Sequence, residues 1–206
     1  MKTTGAYVVF VIILFLTVCC ETKRGSVLET KRFRSLRPTN KPGVVPLAFT
    51  IERKRLGPIK IGMRINEADA YCKQLQKKTV EAWLYGYDGG GEAYLYFNGE
   101  QDVFALIPWA DTDTILAIVV LDSQLKMKNG LGPHSTISTL MRSYPGIKLY
   151  YNQMMEWESC EDPRNELSFV FATTPESQIG TYDEDTDLPS TKIKRPHAKI
   201  DWIVIK

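Results

Sequence analysis

The stretch from Leu56 to Ala68 (LGPIKIGMRINEA) constrains the fold most, because it joins a short strand to a helix through a glycine turn. Ile59 and Ile61 are separated by one residue, which places both aliphatic side chains on one face of the strand. Gly62 then allows the backbone to reverse its direction. Beyond the turn, apolar residues recur at helical spacing: Ile65, Ala68, Cys72 and Leu75. A helix this short is marginal alone, so the pattern predicts that its apolar stripe packs on a sheet.

A weaker copy of this pattern lies about 72 residues later, between Leu131 and Pro145. Ser135 is a suitable N-cap residue for a second helix, and Pro145-Gly146 ends that helix. Its apolar stripe consists of Ile137, Leu140, Met141 and Tyr144. The two strand–helix junctions predict a chain built as two similar halves.

Turn signals between apolar runs predict that the strands pair in antiparallel order. The strand predicted at Val80–Tyr87 leads into a glycine-rich hairpin loop at residues 88–92, and Asn98-Gly99 is a strong two-residue turn signal. The predicted fold class is α+β, with two short helices packed on antiparallel β-sheet. We expect two similar helix-on-sheet modules, at residues 47–122 and 123–206.

Residues 1–20 predict an export signal that ends in a lipidation site. No charged residue occurs from Gly5 to Cys20, and this run of 16 residues is shorter than the roughly 20 that a membrane span needs. Cys19 and Cys20 end the run in the manner of a bacterial lipobox, whose cysteine receives diacylglycerol and an acyl chain such as palmitate. Two alternatives stay open: an ordinary cleaved signal, and an uncleaved anchor that the following basic residues would orient with the body in the cytoplasm.

A basic arm follows at residues 21–46 and predicts a flexible tether. It contains seven Lys/Arg and three Pro and lacks periodic hydrophobicity. Residues 21–55 hold ten Lys/Arg against three Asp/Glu, whereas residues 56–206 hold fifteen against twenty-one. The arm suits contact with anionic lipid headgroups, and beside a membrane signal it does not predict nucleic-acid binding. The predicted partners are therefore the membrane and an envelope protein that the sequence does not identify.

The Gly57–Met63 run followed by Glu67-Ala68 resembles a module of many exported bacterial proteins, whose usual form is I-x-I-G-M-[ST]-x-x-E-[VA]. The segment Ser135–Pro145 is similar to the second copy that often accompanies it. Such modules occur in small outer-membrane lipoproteins of the SmpA/BamE type and in the β-lactamase-inhibitor-protein fold. The resemblance implies a helical segment on an antiparallel sheet and a role in protein–protein interaction, not catalysis. Arg64 and Thr139 depart from the pattern, which has Ser/Thr and Glu at these positions.

Aromatic residues on or near one predicted hairpin form the candidate binding surface. They are Trp83, Tyr85, Tyr87, Tyr94, Tyr96 and Trp109. Because side chains alternate along a strand, we expect one set of them to face outward, and exposed Tyr and Trp are typical of binding surfaces. The sequence therefore predicts a non-enzymatic, protein-binding lipoprotein of the bacterial cell envelope, with its body in the periplasm or outside the cell.

Two other functions are alternatives to this prediction. One is a hydrolase that uses paired carboxylates from the set Asp111, Asp113, Glu156 and Glu158. The other is a cytoplasm-facing, membrane-anchored protein whose basic arm binds anionic lipid. The two histidines, His134 and His197, each follow a proline and have no partner at motif spacing, so we assign no catalytic residue.

Cys72 and Cys160 are the thiols that remain in the body of the protein. They allow two interpretations: a disulfide, which an exported protein permits, or inert buried thiols, because Cys72 lies on the apolar stripe of the first helix. The acidic run Asp183–Asp187 begins like a calcium loop but lacks the Gly and Glu that such a loop needs at its sixth and twelfth positions. No metal and no cofactor is predicted.

Overall fold

An eight-stranded antiparallel sheet dominates the computed structural model, which describes residues 49–87, 91–183 and 188–206. The strands in these ranges are β1 (Thr50–Glu52), β2 (Arg55–Leu56), β3 (Ile59–Lys60), β4 (Gln76–Glu81), β5 (Glu92–Asn98), β6 (Gln101–Pro108), β7 (Ile115–Val120), β8 (Lys126–Met127), β9 (Leu149–Asn152), β10 (Trp157–Asp162), β11 (Leu167–Phe171), β12 (Gly180–Thr181), β13 (Lys192–Ile193) and β14 (Trp202–Ile205). The large sheet has the order β4-β5-β6-β7-β14-β11-β10-β9, and β3-β2-β1-β8 form a smaller sheet. β12 and β13 pair with each other.

Two short α-helices occur in the described residues, α1 (Ile65–Asp69) and α2 (Ile137–Ser143). The second predicted helix is confirmed as α2, although its N-cap is Thr136, one residue after the expected cap. The Thr136 hydroxyl accepts a hydrogen bond from the Thr139 N–H at 3.2 Å. Two 3-10 helices, Ala82–Tyr85 and Pro175–Ser177, complete the helical structure of this part of the chain.

The predicted α+β class with two helices on a sheet is wrong, because the described chain is mostly β and α1 is little more than one turn. The helix ends at Asp69, and the side chain of this residue connects it to the sheet. The Asp69 carboxylate accepts hydrogen bonds from the Tyr96 hydroxyl at 2.7 Å and from the Lys77 ammonium at 2.6 Å. After α1 the chain runs through turns, with the Leu75 N–H bonded to the Cys72 carbonyl at 2.8 Å, and enters β4 at Gln76.

The central strands of the large sheet are buried on both faces, which explains why they are apolar throughout, whereas β4 at the edge is mostly exposed. The first face packs against α1, α2 and the smaller sheet, with Phe104, Ile118 and Phe169 in this core. The second face packs against the 3-10 helix Ala82–Tyr85, with Val119 and Trp202 in a separate core. β14 shows the division clearly, because its four residues alternate between the two cores and are all buried.

The strands of the two predicted modules join in the middle of this sheet. β14 pairs with β7 on one side, with Ile203 opposite Val120, and with β11 on the other side. The halves thus share one continuous ladder of hydrogen bonds.

The predicted signal, the lipidation residues Cys19 and Cys20, and the tether at 21–46 lie outside the described residues. Within the described ranges, no helix has the length and apolar content needed to cross a bilayer. The same ranges contain no group of three or more His, Cys, Asp or Glu side chains placed to hold a metal ion.

Candidate functional site

The predicted strand Val80–Tyr87 ends at Glu81, where the chain turns into the 3-10 helix. Gly86 closes that helix in the left-handed conformation, with φ of 88°, and donates its N–H to the Trp83 carbonyl at 2.9 Å. This turn removes the alternation on which the aromatic surface was predicted. Trp83, Tyr85 and Tyr87 therefore do not share one face of a strand.

Tyr94 and Tyr96 do alternate correctly on β5, but they face inward, toward the first core. Tyr96 is buried, and its ring stacks on Phe104 at a centroid distance of 4.7 Å. Tyr94 is half-buried beneath the Lys77 ammonium, 5.4 Å from its ring centre. Trp109 is exposed in the β6–β7 loop. The six predicted aromatic residues thus form no common surface: Tyr94 and Tyr96 lie together near Lys77, whereas Tyr85 and Tyr87 line a cavity elsewhere.

Tyr85 and Tyr87 line a cavity of about 230 Å³ between the 3-10 helix and the second face of the sheet. We call it the aromatic cavity. Trp157, Ser159 and Glu161 of β10 line one side of it. The remaining lining residues are Gly86, Asn152, Ser168, Val170, Val204 and Lys206.

An aromatic cluster forms the inner wall of the aromatic cavity. The Trp202 ring meets Tyr85 edge-on at a centroid distance of 6.3 Å and Trp157 edge-on at 5.2 Å. Gly86 lies directly against the Trp157 ring: a Cβ at this position would be 2.7 Å from Cη2 of the indole. Because no larger residue fits there without displacing Trp157, the glycine and the indole fix the width of the cavity.

Polar groups line the mouth of the aromatic cavity. The Glu161 Oε2 atom accepts hydrogen bonds from the Ser168 hydroxyl at 2.7 Å and from the Lys206 ammonium at 3.0 Å. Ser168 is buried, whereas Glu161 and Lys206 are exposed at the cavity mouth. A small cavity lined by aromatic rings and by polar groups suits a small polar group that also stacks on a ring.

Two buried donors of the aromatic cluster have no hydrogen-bond partner among the described residues: the Tyr85 hydroxyl and the Trp202 indole N–H. A buried donor without a partner costs about 1–3 kcal/mol. Burial and, less strongly, the Asp102 charge raise the pKa of Tyr85, and burial with the Glu161 charge raises the pKa of Tyr87. Both phenols therefore keep their protons at neutral pH and can act as hydrogen-bond donors.

The carboxylates named for the hydrolase alternative lie at opposite ends of the large sheet. Asp111 and Asp113 are in the β6–β7 loop, whereas Glu156 and Glu158 are at the start of β10. Glu158 is fully buried and accepts three hydrogen bonds, from the Ile179 N–H, the Gly180 N–H and the Tyr182 hydroxyl. The structure therefore gives Glu158 a structural role.

Both body cysteines are buried free thiols, so the disulfide interpretation does not describe this structure. Cys72 packs in the first core beside α1, and Cys160 lies on the same face of the sheet in β10. Burial raises the pKa of each thiol to about 12.

Sequence reasoning missed Trp157, Ser159 and Glu161, although their spacing contains the signal. Alternate residues of a strand share a face, so the sequence WESCE places these three side chains together. What the sequence does not contain is the pairing that brings the 3-10 helix over this face.

No family model matches the chain, and no curated protein matches it. Its fold is similar to that in the crystal structure of the uncharacterized protein yfeY from Escherichia coli, with a TM-score of 0.52 and 16% sequence identity. The similarity covers 76% of this chain and 99% of yfeY. At this level of identity it concerns the fold alone, and the SmpA/BamE resemblance stays a prediction.

Proposed function

We propose that this protein is a membrane-anchored, non-enzymatic binding protein of the bacterial cell envelope, and that its aromatic cavity receives a small polar group from a partner protein. The observation that carries the proposal is the aromatic cavity itself, which the rings of Tyr85 and Trp157 line together with the polar groups of Glu161, Ser168 and Lys206. A group that stacks on Trp157 and forms a hydrogen bond with the polar groups at the mouth would match both kinds of lining residue.

The size of the cavity limits what can enter it. Ligand pockets usually measure about 300–1,000 Å³, so 230 Å³ suits one side chain better than a large metabolite. A protruding Asn, Gln or similar side chain of an envelope protein has the required acceptor and the required size. The rest of the contact would then lie on the surface around the mouth.

The anchor is the second part of the proposal. It rests on Cys19 and Cys20 at the end of an apolar run that is short for a span. A lipid at either cysteine, followed by the basic tether, would hold the body close to an envelope membrane.

The mass of the N-terminal peptide from membrane-purified protein tests the anchor. We expect a peptide that begins at Cys19 or Cys20 and carries diacylglycerol and acyl mass. An unmodified peptide that begins at Met1 would refute the lipid anchor and favour the cytoplasm-facing alternative, in which the basic arm binds anionic lipid.

Site-specific cross-linking in intact cells tests the cavity. A photo-reactive residue in place of Tyr87, at the mouth, should capture an envelope protein, and the exposed Tyr71 serves as a control position. Ser159→Trp fills the cavity and should abolish the cross-link, whereas Ser143→Trp at an exposed site of α2 should not. A cross-link that survives Ser159→Trp would show that the cavity is not the binding site.

A further inference from the structure

A second cavity differs in character, because basic side chains surround it. It measures about 910 Å³ and lies where β11 ends and β14 begins. We call it the basic cavity and define it by six of its lining residues: His134, Ser177, Lys194, Arg195, His197 and Lys199. Asp201 is the one carboxylate among the residues that line it.

The basic cavity is positively charged, whereas the rest of the body is negatively charged. Residues 56–206 hold fifteen Lys/Arg against twenty-one Asp/Glu, yet residues 192–199 hold three Lys, one Arg and one His without an acidic residue. A concentrated patch of one sign on a body of the other sign creates a local field that attracts anions.

The backbone of this basic segment is firmly held. The Ala198 carbonyl accepts the Ile137 N–H at 2.9 Å, which attaches the segment to the first residue of α2. The Lys194 N–H donates to the Ile179 carbonyl at 2.7 Å, which attaches it on the other side. The basic side chains therefore extend from an ordered backbone. A ligand that binds them does not also have to order the backbone, so less conformational entropy is lost on binding.

Within the part of the chain that the structure describes, the cationic groups of the basic cavity have no ion-pair partner. No carboxylate in the described residues lies within salt-bridge distance of Lys194, Arg195 or Lys199. Arg195 donates one guanidinium N–H to the Glu176 backbone carbonyl, which orients the side chain and leaves its charge in place. The other four of its five donors have no acceptor among the residues that the structure describes and can bind an anion.

His134 adds a strained group to the same wall. Its φ is 66°, a left-handed conformation that residues other than glycine rarely adopt. Burial and the neighbouring Lys199 lower the pKa of His134, against a smaller opposite effect of Asp122. A neutral imidazole beside an ammonium offers one donor and one acceptor to a bound group.

We propose that the basic cavity is a second binding site, which takes a ligand bearing phosphate groups. Its fixed guanidinium, two ammonium groups and imidazoles match the several oxygens of a phosphate, whereas the Ser177 hydroxyl is already bonded to Thr174. Its volume is within the range of ligand pockets and exceeds a single phosphate, so the ligand carries further atoms. A lipid headgroup and a soluble phosphate compound both have this chemistry. The proposal is independent of the lipid anchor and of the aromatic cavity.

Titration calorimetry of the full chain with inorganic pyrophosphate at fixed ionic strength tests the site. Lys194→Gln combined with Lys199→Gln should weaken binding by about tenfold or more, because two charge-assisted contacts are lost. Lys60→Gln combined with Lys148→Gln removes the same charge from exposed positions elsewhere and should change binding by less than about twofold. Urea unfolding of both variants verifies that each is folded.

Vesicle flotation then distinguishes the two sources of phosphate. If the ligand is a lipid, Lys194→Gln/Lys199→Gln should reduce flotation with phosphatidylglycerol vesicles and pyrophosphate should compete with them. If the ligand is a soluble compound, the parent protein binds pyrophosphate, and the Lys194→Gln/Lys199→Gln variant floats with the vesicles to the same extent as the parent. Equal losses in both lysine pairs, or no pyrophosphate binding by the parent protein, would overturn the proposal.

Discussion

Glu158 is a buried carboxylate that fastens the segment after β11 to the sheet. Its two oxygens accept hydrogen bonds from the Ile179 N–H at 2.6 Å, the Gly180 N–H at 2.7 Å and the Tyr182 hydroxyl at 2.7 Å. Three donors on one carboxylate balance the cost of burying its charge. The same segment continues toward the basic cavity, so this residue also supports the frame of that site.

Replacing Glu158 with Gln should destabilise the fold by about 2 kcal/mol or more, because an amide nitrogen cannot accept the N–H groups that now face it. Urea unfolding measures the change. Glu156→Gln, in the exposed turn just before β10, should change stability by less than about 0.5 kcal/mol. Equal stability of the Glu158→Gln variant and the parent would contradict the assigned role.

Gly57 and Gly99 form a matched pair for a test of steric fit. Both are left-handed, with φ of 56° and 60°, but a Cβ on Gly57 would be 2.6 Å from the Phe49 ring, whereas a Cβ on Gly99 meets nothing within 4 Å. Gly99→Ala should cost about 1 kcal/mol for backbone strain alone. Gly57→Ala should cost about 1–3 kcal/mol more because of the clash. Equal losses in thermal unfolding would mean that Phe49 moves aside freely.

The buried thiols predict a pH dependence. A folded-state pKa of about 12 against an ordinary value of 9.0 means that Cys72 and Cys160 ionise in the unfolded chain first. Their contribution to stability is complete below pH 9 and is lost as the pH rises from 9 toward 12. At pH 8 a thiol reagent should label the unfolded chain at both sites and the native chain slowly. If both sites stay unlabelled after unfolding without reductant, the two cysteines form a disulfide and the prediction of free thiols is wrong.

At the scale of elements, the sequence predicted those turns and helices that depend on interactions between neighbouring residues. The Asn98-Gly99 turn is present between β5 and β6, with Gly99 left-handed. The apolar stripe of α2 is also present, with Ile137 and Leu140 in the first core. These features depend on residues within a few positions of each other, which is why the sequence predicts them.

Features that depend on distant residues escaped the same reasoning. α1 stops at Asp69, whose carboxylate binds Tyr96 and Lys77, and neither contact is visible in the spacing of Ile65, Ala68, Cys72 and Leu75. The aromatic cavity likewise needs the 3-10 helix to cross over β10. Sequence reasoning therefore identified Tyr85 and Tyr87 without their partners Trp157 and Glu161.

The cap of α2 gives a prediction at this scale. Thr136→Ala removes the oxygen that accepts the Thr139 N–H and should destabilise the protein by about 1 kcal/mol. Thr136→Ser keeps the oxygen and should recover most of the loss, as measured by urea unfolding. If the Ser variant were as unstable as the Ala variant, the cap would not be the cause.

At the scale of the whole molecule, β14 makes the two halves cooperative. Ile203 is fully buried in the middle of the sheet, opposite Val120 of β7 and Phe169 of β11. Ile203→Ala should destabilise the protein by about 2–5 kcal/mol. Hydrogen exchange should accelerate equally in β6 and β11, while Tyr71→Ala at the surface leaves both unchanged. Faster exchange in β11 alone would mean that the halves unfold separately.

The position of β14 in the chain also determines when the protein can fold. Every other strand of the large sheet precedes it in the sequence, and β7 and β11 have no shared partner until it arrives. The central pairing therefore cannot form on a ribosome that has not yet synthesised residue 205. If the chain is exported across a membrane in an unfolded state, the central strand pairs form only after β14 has crossed.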